Sequence, residues 1–392
     1  MKTPAKSKFD KVLTLSFAHL VHDVPTSFLA PILPLLIDRF GLSVFMAGLL
    51  DVFRRIPALA NPFLGLLADR ICIRYFIILT PGITAVLMSL LGVASSYTFL
   101  AILLLMSGVS SALFHVTAPV MMRHVSKGRI GRGMSFHMLG GELARTLGPL
   151  IILGAVSLWG MEGTYRLIPF GIVASIFLYF SLRDISMERE PMEKEDHGAG
   201  KTLIKLLPFF VSVTGIFFFR AAMKSALTIY LPTYLTSRGA SLWLAGISLS
   251  VLQLSGAGGT FLAGIVSDRI GRKKTLLVIS AVSPFLMWLF IILNGKFIIP
   301  VLVVTGFFLF ASGPVLLALV HDIDSKRMSF INGIYMTLNF TLNSLMVLLV
   351  GFSSDRIGLD LTYKISALVA AGSVPFVIFL KPLADTDSSP LN

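Results

Sequence analysis

The chain has 392 residues, of which 55% are hydrophobic and only 14% charged, a balance that excludes an ordinary soluble domain. A formal net charge of +13 raises nucleic acid as a partner, but the basic residues are scattered over short segments between apolar runs rather than gathered in a patch. The single cysteine, Cys72, excludes an intramolecular disulfide and a cysteine metal cluster.

Apolar runs of about 20 residues, enough to cross a hydrocarbon core of about 30 Å, recur from end to end. In chain order they fall near 13–37, 44–68, 75–94, 98–122, 134–158, 165–182, 207–235, 243–267, 275–294, 298–321, 330–353 and 362–381. The first is too long for a cleavable signal and contains Asp23, so it counts as a span. The pattern predicts an all-α membrane protein of twelve transmembrane helices. The one long polar interruption, 184–204, includes Glu188, Arg189, Glu193, Lys194, Glu195 and Asp196 and reads as a cytoplasmic linker. We therefore expect an N-terminal six-helix bundle over 1–183, the linker, a C-terminal six-helix bundle over 205–381 and a cytoplasmic tail over 382–392. Gly140, Gly141, Ala144 and Gly148, and again Gly256, Gly258, Gly259 and Gly264, predict close helix approach. The 31 phenylalanines read as lipid-facing and packing groups.

Of the 33 Lys and Arg residues, 22 fall in segments on the side of the N-terminus and six on the other. That asymmetry places both termini in the cytoplasm of a plasma (inner) membrane, with the basic loops against anionic lipid headgroups. Nucleic acid is not expected as a partner.

The chain also repeats itself. Gly65-Leu66-Leu67-Ala68-Asp69-Arg70 is answered by Gly264-Ile265-Val266-Ser267-Asp268-Arg269-Ile270-Gly271-Arg272-Lys273-Lys274. Met134-Ser135-Phe136 is answered by Met328-Ser329-Phe330, and Thr164-Tyr165-Arg166 by Thr362-Tyr363-Lys364, at nearly the same offset. A duplicated apolar chain with a charged turn at one point per half is the organisation of a secondary transporter. The charged turn resembles the loop motif of the major facilitator superfamily. The second copy matches in full, while Cys72 and Ile73 stand where the first copy would carry glycine and arginine. The resemblance implies a gating role for Gly65, Asp69, Arg70, Gly264, Asp268, Arg269, Gly271 and Arg272. Within the superfamily the chain is similar to the fosmidomycin-resistance group of exporters, on His19-Leu20-Val21-His22-Asp23, Ala112-Leu113-Phe114-His115, and Gly131-Arg132-Gly133-Met134-Ser135 leading to Gly140-Gly141 and Gly148-Pro149-Leu150. The residue after His115 is Val116 where that group tends to proline. Gly148-Pro149 resembles an antiporter motif without its following glycine pair.

Five cations remain at membrane depth: Arg54, Arg55, Arg145, Arg220 and Lys224. Each costs about 2.5–3.5 kcal/mol at a helix centre, on the order of 15 kcal/mol together, so each needs a partner, water or a ligand. Asp51 and Arg55, Glu142 and Arg145, and His19 and Asp23 are spaced to share a helix face. Arg220 and Lys224 repel each other on one helix with no acid beside them, and Asp23, Asp51 and Glu142 are the acids available to pair with them. An excess of two positive charges remains. It favours an anionic substrate held by Arg54, Arg55, His115, Arg145, Arg220 and Lys224. The competing readings are buried pairs that only fix helix register, and a Lys224 that snorkels. Proton coupling falls to His19, Asp23, Asp51 and Glu142, with His22 and His137 as weaker candidates. His321-Asp322-Ile323-Asp324 reads as a solvated helix end rather than a metal site, and neither metal nor cofactor is expected.

The resemblance implies proton-coupled efflux of a small, phosphonate-like anionic or drug-like compound, by alternating access and antiport, in a protein for which a monomer suffices. An organic-anion importer or exchanger, a lipid flippase and a non-transporting receptor or scaffold stay open. No nucleophile–base set suggests an enzyme.

Overall fold

The structure is a computed structural model that describes residues 5–61, 73–126, 130–183, 185, 204, 206–293, 295–323 and 328–380. Among these the regular structure is entirely helical: α1 (Ala5–Thr26), α2 (Leu29–Phe40), α3 (Val44–Arg55), α4 (Ile73–Ser89), α5 (Tyr97–Val125), α6 (Ile130–Trp159), α7 (Ile168–Leu182), α8 (Leu207–Thr228), α9 (Leu231–Ser237), α10 (Leu242–Ile270), α11 (Arg272–Ile292), α12 (Ile298–His321), α13 (Met328–Ile357), α14 (Leu359–Ala371) and α15 (Ser373–Phe379), with short 3-10 turns. Eleven stretches among the described residues are long and apolar enough to cross a membrane. The remaining expected span, 44–68, runs out of the described residues after Asn61. The expected linker lies outside them except for Ile185 and Ile204, and the tail lies outside them entirely.

Three expected spans are each split into two α-helices. The first breaks after Thr26, the seventh after Thr228 and the last after Ala371. Proline explains the places: Pro31, Pro232 and Pro375 lack the N–H that the carbonyls of Ser27, Thr228 and Ala371, four residues earlier, require. Proline alone does not suffice, because α5, α6 and α12 run through Pro119, Pro149 and Pro314. Membrane helices tolerate such prolines where neighbouring groups satisfy the freed backbone.

The chain divides into two compact units. One comprises residues 1–42, 49–191 and 235–250; the other comprises 43–48, 192–234 and 251–392. In the first, α1 packs mainly on α6, and α4 packs on α5 and α7. Its core gathers Leu15, Ala18, Ile77, Phe114, Met121 and Leu178. In the second, α8 packs on α13, and α11 packs on α12, α14 and α15. Its core gathers Val213, Ile216, Leu276, Val315, Val320 and Ile331. Each unit thus pairs its first span with its fifth, and its third with its fourth and sixth. This is the packing counterpart of the internal repeat.

Large apolar side chains such as Phe170, Phe261, Phe285 and Leu368 stand exposed on the helices. Such density of exposed apolar surface suits a hydrocarbon solvent, not water. The glycines expected at close contacts divide. A Cβ on Gly140 would lie 2.3 Å from the Ser16 carbonyl, on Gly148 2.6 Å from Ser27 and on Gly259 2.0 Å from the Phe307 carbonyl. Gly258 and Gly264, by contrast, face open space.

Candidate functional site

In the first unit, α1 carries His19, His22 and Asp23 within slightly more than one turn, all three buried. Gly140 and Gly141 let α6 close on this face; a Cβ on Gly141 would meet the His19 ring at 2.7 Å. His137 of α6 therefore stacks on His19 with ring centroids 4.2 Å apart. From α5, Phe114 stacks on His22 at 4.2 Å and His115 turns towards Asp23. His19 Nε2 lies 3.2 Å from Asp23 Oδ2, and His115 Nε2 lies 3.3 Å from Asp23 Oδ1. His19 Nδ1 donates to the His137 carbonyl across 2.7 Å. His22 Nδ1 lies 3.5 Å from Thr84 Oγ1. Four histidines thus gather around one carboxylate. The His115 side chain, 40% exposed, is its open face.

The arginines of this unit have acids of their own. Asp51, with 0% exposure, accepts from Arg54 Nη2 at 2.7 Å and from Arg55 Nε at 2.5 Å. The partly exposed guanidiniums thus share a single negative charge. On α6, Arg145 pairs with Glu142, and both remain accessible. Protonating Asp51 or Glu142 would release an arginine, whereas Asp23 holds histidines. Among these carboxylates, then, Asp51 and Glu142 hold guanidiniums and Asp23 does not.

In the second unit, Arg220 of α8 is 6% exposed, and among the described residues no acid pairs with it. The expected need for a carboxylate is met differently. Nε donates to Ser312 Oγ at 3.2 Å, Nη1 to the Ile279 carbonyl and Ser283 Oγ, both at 3.4 Å, and Nη2 to the carbonyls of Phe308 and Leu309 at 3.3 and 3.2 Å. All five N–H donors reach neutral protein oxygens, so Arg220 keeps none for a ligand. Lys224, one turn on, sets its Nζ 5.9 Å from the Phe310 ring centroid.

The second loop motif is built as a corner. Gly271 adopts φ 94° between α10 and α11, a conformation open to glycine and strained for other residues. Around it Arg272 pairs with Asp268, donates to Ser267 Oγ at 2.6 Å and reaches Asp322 Oδ2 at 3.2 Å. Gly264 and Arg269 lie on the last turns of α10. Gly65, Asp69 and Arg70 of the first copy lie outside the described residues, as does Asp324. Asp322 thus forms an ion pair with the loop motif.

Two sequence signals gain weight in the fold. His22 and His137 belong to the histidine cluster. Ser354-Asp355-Arg356-Ile357-Gly358 repeats Ser267-Asp268-Arg269-Ile270-Gly271 letter for letter, and Gly358 likewise turns its corner at φ 81°.

A chain whose described residues form only helices, many long enough to cross a membrane, folded as two units with the same helix pairing and carrying paired charges inside its helices, has the construction of a multi-pass membrane transporter. The chain belongs to the Major Facilitator Superfamily, whose profile matches residues 15–346. It is 25% identical over 381 residues to the fosmidomycin resistance protein of Escherichia coli (strain K12), covering 94% of this chain and 92% of that one. Among solved structures it is similar to a point mutant of the nucleoside transporter NupG, with a TM-score of 0.76, 14% identity and coverage of 96% and 100%. It is also similar to a bacterial homolog of the human lysosomal transporter Spinster, with a TM-score of 0.75, 15% identity and coverage of 96% and 95%. These similarities carry the expected fold: an all-α transporter of the major facilitator type, not the architecture of a soluble enzyme.

Proposed function

We propose that this protein is a secondary active transporter of the inner membrane that exports small anionic, phosphonate-like compounds in exchange for protons. The observation that carries the reading is the sharing of Asp51 by Arg54 and Arg55, which among the described residues leaves one positive charge unbalanced at a partly exposed place. A phosphonate, phosphate or carboxylate oxygen is the natural complement of a partly exposed guanidinium. The name of the Escherichia coli relative, a fosmidomycin resistance protein, supports efflux of a drug-like compound.

In this reading the candidates to receive the anion are Arg54, Arg55 and Arg145 in the first unit, with His115 at the edge of its cluster as a further contact, and, separately, Lys224 in the second unit. Arg220 serves packing instead. Glu142 and Asp51 are the coupling carboxylates. Their charged partners among the described residues are Arg145 for Glu142, and Arg54 and Arg55 for Asp51. Proton and anion compete: a proton on either carboxylate releases its arginine from the position in which it holds the anion and lowers the affinity for the cargo, and loss of the proton restores the pair and with it the affinity. Only such a difference in affinity between states can drive the cycle of alternating access. The loop motif around Gly271, together with Gly65, Asp69 and Arg70, gates it. The six-helix bundles over 1–183 and 205–381, both termini in the cytoplasm and a monomeric protein complete the proposal.

The test is flux in proteoliposomes under an imposed pH gradient, using a fosmidomycin-like phosphonate and an organophosphate as probes. Export of an anion against its gradient, driven by protons moving the other way and lost in Arg54→Ala, Arg55→Ala and Arg145→Ala, is the expected result. Proton-driven movement in the opposite sense would make the protein an importer. Binding without flux would make it a receptor, and transfer of labelled lipid alone a flippase. Flux of every anion unchanged by all three substitutions would remove the anion site.

A further inference from the structure

The histidine cluster of the first unit, which the transport reading draws on only through His115, has a chemistry of its own. A carbonyl only accepts, so the 2.7 Å contact from His19 Nδ1 to the His137 carbonyl fixes a hydrogen on Nδ1. In the neutral ring, Nε2 then presents a lone pair, and it faces Asp23 Oδ2 at 3.2 Å. Two lone pairs at that distance repel unless a proton or a metal ion sits between them. On the other side of the same carboxylate, Oδ1 lies 3.3 Å from His115 Nε2, without the geometry of a hydrogen bond.

These separations are those of ligands around an ion. Four ligands about 2.1 Å from a tetrahedral centre lie about 3.4 Å from one another. One donor atom each from His19, Asp23 and His115 falls within 4.8 Å of the others. The supporting contact is also present, because a metal-ligating histidine hands its other ring hydrogen to a carbonyl or carboxylate, which orients the ring. His19 does so to His137, whose own ring stacks behind it. Asp23 is buried and its Oδ1 is without a hydrogen-bond partner, so it is aimed at the site at a cost that an ion would remove. His115, exposed on its far side, leaves an approach and an open position.

We propose that His19, Asp23 and His115 form a site for one divalent transition-metal ion. Two imidazoles and a carboxylate select the zinc-like, borderline ions over calcium or magnesium, which favour all-oxygen ligands. An ion there ties α1 to α5 and keeps one position for water or an anionic oxygen. The assignment stands on contacts within one unit and is independent of the transport cycle.

The experiment uses the full-length, untagged protein purified in detergent, with Co2+ as the probe and Zn2+ as competitor. The expected result is one Co2+ per chain with the intense visible bands of a low-coordinate site, displaced by Zn2+. His115→Ala, at an exposed position, should weaken binding at least tenfold, and Asp23→Asn should abolish the bands. His321→Ala, at a helix end of the other unit, should leave both unchanged. A spectrum that stays that of the aqueous ion would overturn the site, as would equal binding by native protein, His115→Ala and His321→Ala. Because the readout involves no flux, failure of the metal site and failure of the export reading are separately visible.

Discussion

Arg55 donates its Nε hydrogen to Asp51 Oδ2 across 2.5 Å, one turn back along α3, while Arg54 takes the other oxygen of the same carboxylate. Asp51 is wholly buried, and removing it strands two cations at membrane depth. Asp51→Ala should therefore cost about 3–5 kcal/mol, the range for breaking a buried pair. Arg55→Ala should cost clearly less, because Arg54 still neutralises the acid. Thermal unfolding of the detergent-solubilised variants gives the order; equal losses would refute a shared carboxylate.

Two glycines of α6 should respond in opposite ways to the same added methyl group. At Gly140 it would meet the Ser16 carbonyl of α1 at 2.3 Å, and backbone cannot yield as a flexible side chain can. Gly140→Ala should lower stability by roughly 1–3 kcal/mol and disturb the His19 cluster. Gly154 has nothing within 4 Å, so Gly154→Ala should be neutral or slightly stabilising. The pair is read by melting temperature and by folded yield.

Arg220 separates a packing role from a cargo role. Its guanidinium joins α8 to α11 and α12 through five neutral oxygens. Arg220→Ala should lower stability by roughly 1–3 kcal/mol, the cost of leaving buried polar groups unmatched. Flux per folded molecule should persist. A fully stable variant with no transport would instead return Arg220 to the anion site.

Within the second unit, Asp355 accepts from the amides of Val44 and Phe45 at 2.7 and 2.9 Å, adding to a helix start where Ser43 Oγ accepts from the Met46 amide. The carboxylate also complements the positive end of the helix dipole. Asp355→Ala should cost about 1 kcal/mol. Hydrogen exchange at Val44 and Phe45 should accelerate about fivefold, while amides in the middle of α13 keep their rates. Unchanged exchange at those two amides would show that the cap contributes nothing.

Much of this was legible before any coordinates. The pairs within one helix, Asp51 with Arg55, Glu142 with Arg145 and His19 with Asp23, follow from spacing alone and are all in contact. The splits after Thr26, Thr228 and Ala371 sit close before Pro31, Pro232 and Pro375, although nothing local says why Pro149 of α6 leaves its helix whole. The expectation that Arg220 needs a carboxylate left out neutral acceptors, for a physical reason. Sequence supplies a list of charges but not of carbonyl and hydroxyl oxygens on neighbouring helices, and those neutral acceptors can satisfy a guanidinium.

The sequence by itself determined the membrane-spanning character, the duplicated plan and the charges that needed partners, because apolar length, repetition and composition are properties of the chain taken one segment at a time. Only the tertiary structure decided which partner each charge received. It brought His115 of α5 to Asp23 of α1 and laid His137 of α6 against His19. Such meetings depend on how far each helix is rotated and slid against its neighbours, and that is set by packing at residues such as Gly140 and Gly141, not by any one helix's own pattern.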